Sequence, residues 1–369
     1  MKGYYFLIIV FLASLFTVIG CVEPFSPPEV NSDEGYLVID GFLNIGSDTS
    51  RIELSHTQNT NAQTSIITEP GAKVTVEGEK GETYTFTEKG NGSYYLPPYA
   101  FNTAQKYRLR VKTRVGGEYL SDFVEVKNTP AIDAIEGKID TRQDAMVMQV
   151  NTHDATNSTR FYRWKFEETW EYRAAFYSSL ELVKGVIDYR KEDINLCWRT
   201  MKSSNILLGS TIKLSQDIIK DLPITTVPIS TNKLYIKYSI LVKQYGLTQD
   251  AFEYWTNLAK TTEGTGSLFD PLPSQITGNI RSTTNPKELV FGYFSAAVEQ
   301  KKRIFLTPNL GRYPTCSAPD TLKIEDALKS SATLMNYTGE RSVFILATSA
   351  YCADCRAQGG VTKRPSFWE

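Results

Sequence analysis

Short runs of apolar or alternating residues follow one another closely between residues 36 and 127. They are Tyr36-Leu-Val-Ile39, Arg51-Ile-Glu-Leu54, Lys73-Val-Thr-Val76, Thr83-Tyr-Thr-Phe86, Ser93-Tyr-Tyr-Leu96, Tyr107-Arg-Leu-Arg-Val111 and Tyr119-Leu-Ser-Asp-Phe-Val124. Val74 with Val76, Tyr84 with Phe86, and Tyr107 with Leu109 and Val111 each occupy one face of a period-2 strand. Glu79-Lys80-Gly81, Gly90-Asn91-Gly92 and Gly116-Gly117 supply turn chemistry between the runs. The spacing predicts a two-sheet sandwich of immunoglobulin or transthyretin type over 36–127. No Cys…Trp…Cys signature marks a true immunoglobulin domain.

Lys127-Asn-Thr-Pro130 reads as a joint, and a second β-rich domain is expected over 131–369. Its candidate strands are Ala145–Val150, Arg160–Tyr172, Lys233–Val242, Leu289–Phe294 and Arg303–Leu306. In the longest, Tyr162, Trp164 and Phe166 share one face while Arg163, Lys165 and Glu167 share the other. The period changes to 3.6 near 249–262, which predicts a helix with Thr248 as N-cap, Asp250 in the first turn and Gly264 as the stop. Phe252, Trp255, Leu258 and Ala259 share its apolar side. Such a stripe more often packs on a sheet than serves as a ligand platform. The fold class is therefore mainly β, with at least one helix.

The N-terminus has a different pattern. Lys2 precedes an apolar run from Tyr4 to Ile19, closed by Val18-Ile19-Gly20-Cys21. Charge, apolar core and small residue are the layout of a secretory signal, and the run is shorter than the ~20 residues of a spanning helix. The cysteine after the small residue resembles the bacterial lipobox, so residues 1–20 are expected to be removed and Cys21 acylated. Two or three acyl chains anchor stably where one does so marginally. Residues 21–35, with three prolines and no periodicity, read as a tether.

Charge and chemistry narrow the function classes. Lys plus Arg number 40 and Asp plus Glu 41, a balance that exerts no long-range pull on nucleic acid. Cys197, Cys316, Cys352 and Cys355 remain after Cys21, and an even number behind an export signal favours two disulfides. Four cysteines allow three connectivities. A bridge across the two residues of Cys352-Ala-Asp-Cys355 constrains the unfolded chain little, so these two are expected to bond to different partners. The rival readings, a thioredoxin-like redox centre and a four-cysteine zinc site, lack a surrounding βαβ pattern and a second close pair. Gly359-Gly360 would then turn the tail back, with Phe367-Trp368 buried as a final plug.

The search for enzymatic motifs is empty. His56 and His153 have no metal-binding spacing, and no nucleophile elbow, phosphate loop or dinucleotide fingerprint occurs. Glu167 and Glu168 are adjacent on a strand and point to opposite faces. No catalytic residue, metal or cofactor is assigned. Exposed aromatics at Tyr94-Tyr95, Tyr99 and Tyr172 to Tyr177 are either recognition surface or, more often, sheet core.

Together these residues resemble a family of Bacteroidota lipoproteins known as domain of unknown function 4249. The likeness is carried by Cys21-Val-Glu-Pro-Phe25, Tyr36-Leu-Val-Ile-Asp-Gly41, Gly71-Ala-Lys-Val-Thr-Val76, Gly90-Asn-Gly-Ser-Tyr94, Cys197-Trp198 and Ile206-Leu-Leu-Gly209. It continues through Tyr238-Ser-Ile-Leu-Val-Lys-Gln244, Gly278-Asn-Ile280, Gly292-Tyr-Phe294 and the Cys352 to Trp368 end. The resemblance brings no established activity. It implies an outer-membrane, lipid-anchored accessory of a TonB-dependent transporter, capturing ligand or stabilising the complex. Glu23 after the lipid site points toward surface export, but that signal usually has more acids than this one, so the periplasmic and cell-surface faces both stay open. A surface adhesive that binds a glycan is the alternative expectation, and a hydrolase without a known motif the third.

Overall fold

The computed structural model describes residues 35–58, 65–264, 276–311, 315–340 and 343–369. The signal segment 1–20, the lipidation candidate Cys21 and the tether up to residue 34 lie outside the described residues. Residues 36–369 form one compact, mainly β unit.

Two sheets face one another in the N-terminal sandwich. One has the strand order Thr87–Glu88, Ser93–Leu96, Ser50–His56, Leu37–Asn44, Phe291–Ala297, Val126–Lys127. The other runs Ile280–Ser282, Glu118–Ser121, Tyr107–Lys112, Lys73–Gly78, Thr83–Thr85. Alternation does what the period-2 pattern requires: Val74, Val76, Tyr107, Leu109 and Val111 are buried from one sheet, and Leu37, Ile39, Ile52, Leu54 and Leu96 from the other. The chain changes sheets at Phe86, whose N–H still donates to Val74.

The sandwich is not confined to 36–127. Phe291–Ala297 lies parallel to Leu37–Asn44, with Gly41 beside Phe294, and Ile280–Ser282 pairs with Glu118–Ser121. Two glycines permit this docking. Gly292 has φ +110°, and a Cβ there would meet the Ile39 carbonyl oxygen at 1.9 Å; a Cβ on Gly278 would meet the Gly292 oxygen at 1.6 Å. Asn279 completes the joint, its Nδ2 donating to the Phe294 carbonyl (2.8 Å) and its Oδ1 accepting from the Phe294 N–H (2.9 Å).

The second core lies between a three-stranded sheet (Ile132–Asp140, Ala145–Asp154, Asp217–Pro228) and a larger one. The larger sheet has the order Leu196–Lys202, Phe161–Arg173, Lys237–Gly246, Gln300–Leu306, with Leu207–Ser210 also on the long strand. Tyr162, Trp164 and Phe166 are buried here together with Met148, Val150, Ile240 and Val242. Glu168, on the same face, is buried with partners: Tyr238 Oη donates to it at 2.8 Å and Lys233 Nζ at 2.7 Å. The start of the expected Lys233–Val242 strand is instead a 3-10 turn, Asn232–Leu234, and the strand runs Lys237–Gly246.

The helix spans Gln249–Thr262, and the Thr248 side chain accepts from the Ala251 N–H at 3.2 Å. A small C-terminal sheet of Asp320–Lys323, Phe344–Thr348 and Thr333–Thr338 packs on the Leu180–Val183/Val186–Tyr189 hairpin. The tail then returns to the larger sheet. Trp198 and Val361 exchange backbone hydrogen bonds, both 2.9 Å. Trp368 is buried, with its Nε1 donating to Glu171 at 2.9 Å, but Phe367 is exposed beside Arg303, so only half of the expected Phe367-Trp368 plug is buried.

Candidate functional site

The charged face of the long strand does not point into open solvent. Arg163, Lys165 and Glu167 form the floor of a cleft, continued by Lys243 and Tyr245 from Lys237–Gly246 and by Lys301 from Gln300–Leu306. The wall opposite is the outer face of the sandwich sheet: Asp40 and Phe42, Arg51 and Glu53, and Tyr95. These are the alternate positions to the buried Ile39, Ile52 and Tyr94. Trp255 of the helix closes one end. The volume is about 430 Å³, within the range of small-ligand sites.

Register concentrates positive charge on the floor. Lys165 lies directly opposite Lys243, and Lys243 opposite Lys301. Like charges facing one another across strands are destabilising unless countered. Carboxylates counter most of them. Lys243 Nζ donates to Glu167 (2.7 Å), and Lys301 lies 2.8 Å from Glu299 and 2.9 Å from Asp48. Arg51 pairs with Glu53. Lys165 is held less closely, 3.7 Å from Asp40.

Arg163 is different. Among the described residues no carboxylate pairs with it and no acceptor takes its side-chain N–H groups, and its Nε is buried without a partner. Its guanidinium carbon sits 3.4 Å from the centroid of the Trp255 ring. Stacking on an aromatic face offsets about 0.5–2 kcal/mol of the lost hydration, against several kcal/mol for a desolvated, unpaired ion. Burial pulls both Arg163 and Lys165 below their ordinary values, with Asp40 opposing the shift in each. A guanidinium nevertheless stays charged at neutral pH.

The four cysteines singled out from sequence lie elsewhere, while the aromatics are divided between core, surface and cleft. Cys197 bonds Cys355 and Cys316 bonds Cys352, with Cα separations of 5.7 and 6.0 Å. Cys352 and Cys355 thus have different partners, and all four sulfurs are engaged away from the cleft. Of the aromatics, Tyr94 and Tyr172 are core residues: Tyr94 Oη donates to the Glu69 carbonyl and Tyr172 Oη to that of Cys355. Tyr99 and Tyr177 are exposed, and Tyr95 lines the cleft. Trp255 packs on the sheet and also faces the cleft. The cationic floor was visible in sequence only as an alternation on Phe161–Arg173, which by itself reads as a solvent face. The sheet that covers it comes mainly from residues 37–96 together with Phe291–Ala297, and leaves no local signal.

A family model described as "Domain of unknown function (DUF4249)" matches residues 22–303. The chain belongs to this family. Every residue that lines the cleft falls inside the DUF4249 match, whereas Cys316, Cys352 and Cys355 follow it. The motifs from Cys352 to Trp368 are thus additional to the matched segment. A comparison with curated proteins found no match.

Proposed function

We propose that this DUF4249 protein is a non-enzymatic outer-membrane lipoprotein, anchored through Cys21, that captures a ligand in the cleft for a TonB-dependent transporter. The cleft carries the reading: it is open, of small-molecule size, and lined by charged and aromatic side chains on rigid strands. Its carboxylates support a binding role over a hydrolytic one. Asp40, Glu53, Glu167 and Glu299 each have a cation partner, so each is engaged in balancing the charges of the cleft. The family resemblance supplies the transporter.

Two measurements test this. Full-length protein purified from detergent-solubilised outer membranes is expected to bring a receptor with it in near-stoichiometric amount; recovery alone counts against the partner. Clickable fatty acid is expected to label the wild type and not Cys21→Ala. Label on the variant would refute the anchor.

A further inference from the structure

The cleft binds charge unevenly, and the imbalance has a direction. Lys243 and Lys301 are each engaged by a carboxylate at hydrogen-bonding distance. Among the described residues no carboxylate forms an ion pair with Arg163, Lys165 has one only at 3.7 Å, and the two lie on the same face of one strand. Side chains two apart on a strand are about 7 Å from each other, so one ligand can touch both.

Packing does not require a guanidinium at residue 163. Its cross-strand neighbours are Leu208 and Tyr245, and Trp255 covers it. An unbranched apolar side chain fills the same space without a desolvated charge. What arginine adds is a planar, permanently charged fork, matched to a planar oxyanion. Trp255 fixes the plane of that fork, as preorganised recognition requires.

We infer that the cleft takes a carboxylate-bearing small ligand, its carboxylate bound by Arg163 with Lys165 beside it. The inference rests on the reading of the cleft as a capture site and names the chemistry captured. Phe42, Tyr245 and Trp255 provide the apolar surface for the ligand's body, and the paired charges of the floor offer donors and acceptors to its hydroxyl or amide groups. A sugar acid and the free C-terminus of a peptide both present this group, and the volume holds one or two such units.

The test uses the full-length lipidated protein in detergent, with Trp fluorescence and calorimetry as readouts. The probes are digalacturonic acid and N-acetyl-trialanine, with digalactose and N-acetyl-trialanine amide as their uncharged counterparts. One acid probe is expected to bind, and its uncharged counterpart to bind about tenfold to a hundredfold more weakly, the loss of one charge-assisted contact. Which acid binds identifies the source. Arg163→Met is expected to weaken the acid to the level of the uncharged probe. The comparison of acid with amide needs only wild-type protein, so it stands even where the variant fails to fold. Equal binding of charged and uncharged probes would overturn the carboxylate inference while leaving a capture site intact. Absence of binding by all four probes would overturn both, and unaltered acid binding by a folded Arg163→Met would remove Arg163 from the site.

Discussion

Removing the Cys197–Cys355 bridge by a double alanine substitution should cost more than removing Cys316–Cys352, and should cost it in a particular place. The bridges close 158 and 36 residues, for which loop-closure entropy predicts about 5 and about 4 kcal/mol. The smaller loop is nested within the larger. With it intact, the path from Cys197 to Cys355 shortens to roughly 120 residues, which changes the estimate by only a few tenths of a kcal/mol. Chain entropy alone therefore separates the two weakly. Their surroundings separate them further. Cys197 and Cys355 are both 0% exposed, and emptying that site adds about 1–2 kcal/mol for the cavity, whereas Cys316 is half-buried. The assay is guanidinium unfolding of oxidised protein together with amide hydrogen exchange. The Trp198 and Val361 amides, which exchange hydrogen bonds across the tail, should lose protection in Cys197→Ala/Cys355→Ala while the Lys237–Gly246 strand keeps it. Greater destabilisation by Cys316→Ala/Cys352→Ala, or tail amides that stay protected without the Cys197 bridge, would refute the reasoning.

Gly292→Ala should destabilise by more than about 2 kcal/mol, because its Cβ meets backbone as well as adopting a strained φ. Gly90→Ala is the control, with φ +97° and open space around its Cβ, and equal urea midpoints for the two variants would contradict the close approach. His153 Nδ1 lies 2.7 Å from Asp133 on the surface, and that carboxylate raises the imidazole above its ordinary value. A raised value means the interaction stabilises below the unfolded histidine's pKa and fades as pH rises through the folded one. An NMR titration should show the His153 midpoint fall in Asp133→Asn, and an unmoved midpoint would show that the pair does not form.

Period and capping made much of the framework legible. The alternation at Lys73–Gly78 and Tyr107–Lys112 gives the buried faces found, and Thr248 with Asp250 marks the helix start. Asp217–Pro228 was hidden, because Pro223 and Pro228 break a strand pattern and its pairing with Ala145–Asp154 is interrupted by register shifts. Strand partners were hidden too. Nothing local to Phe291–Ala297 says that it completes a sheet begun at Leu37, since registry is a property of two distant segments. The candidate site suffered most from this. Arg163 and Lys165 were placed on the correct face of the correct strand, but a face becomes a cleft only when another sheet covers it.

The parallel pairing of Gly41 with Phe294 also imposes a wait on the emerging chain. Roughly 250 residues separate the two, so whichever end-to-end process delivers the chain, translation or export, presents Leu37–Asn44 well before its partner. Through that interval Leu37–Asn44 has one edge with no neighbour to satisfy its N–H and C=O groups, the condition that invites pairing between molecules. The first strand made must wait for one of the last, so the sandwich cannot close vectorially. A holdase that shields this edge would do its work before the segment beginning at Gly278 has been delivered.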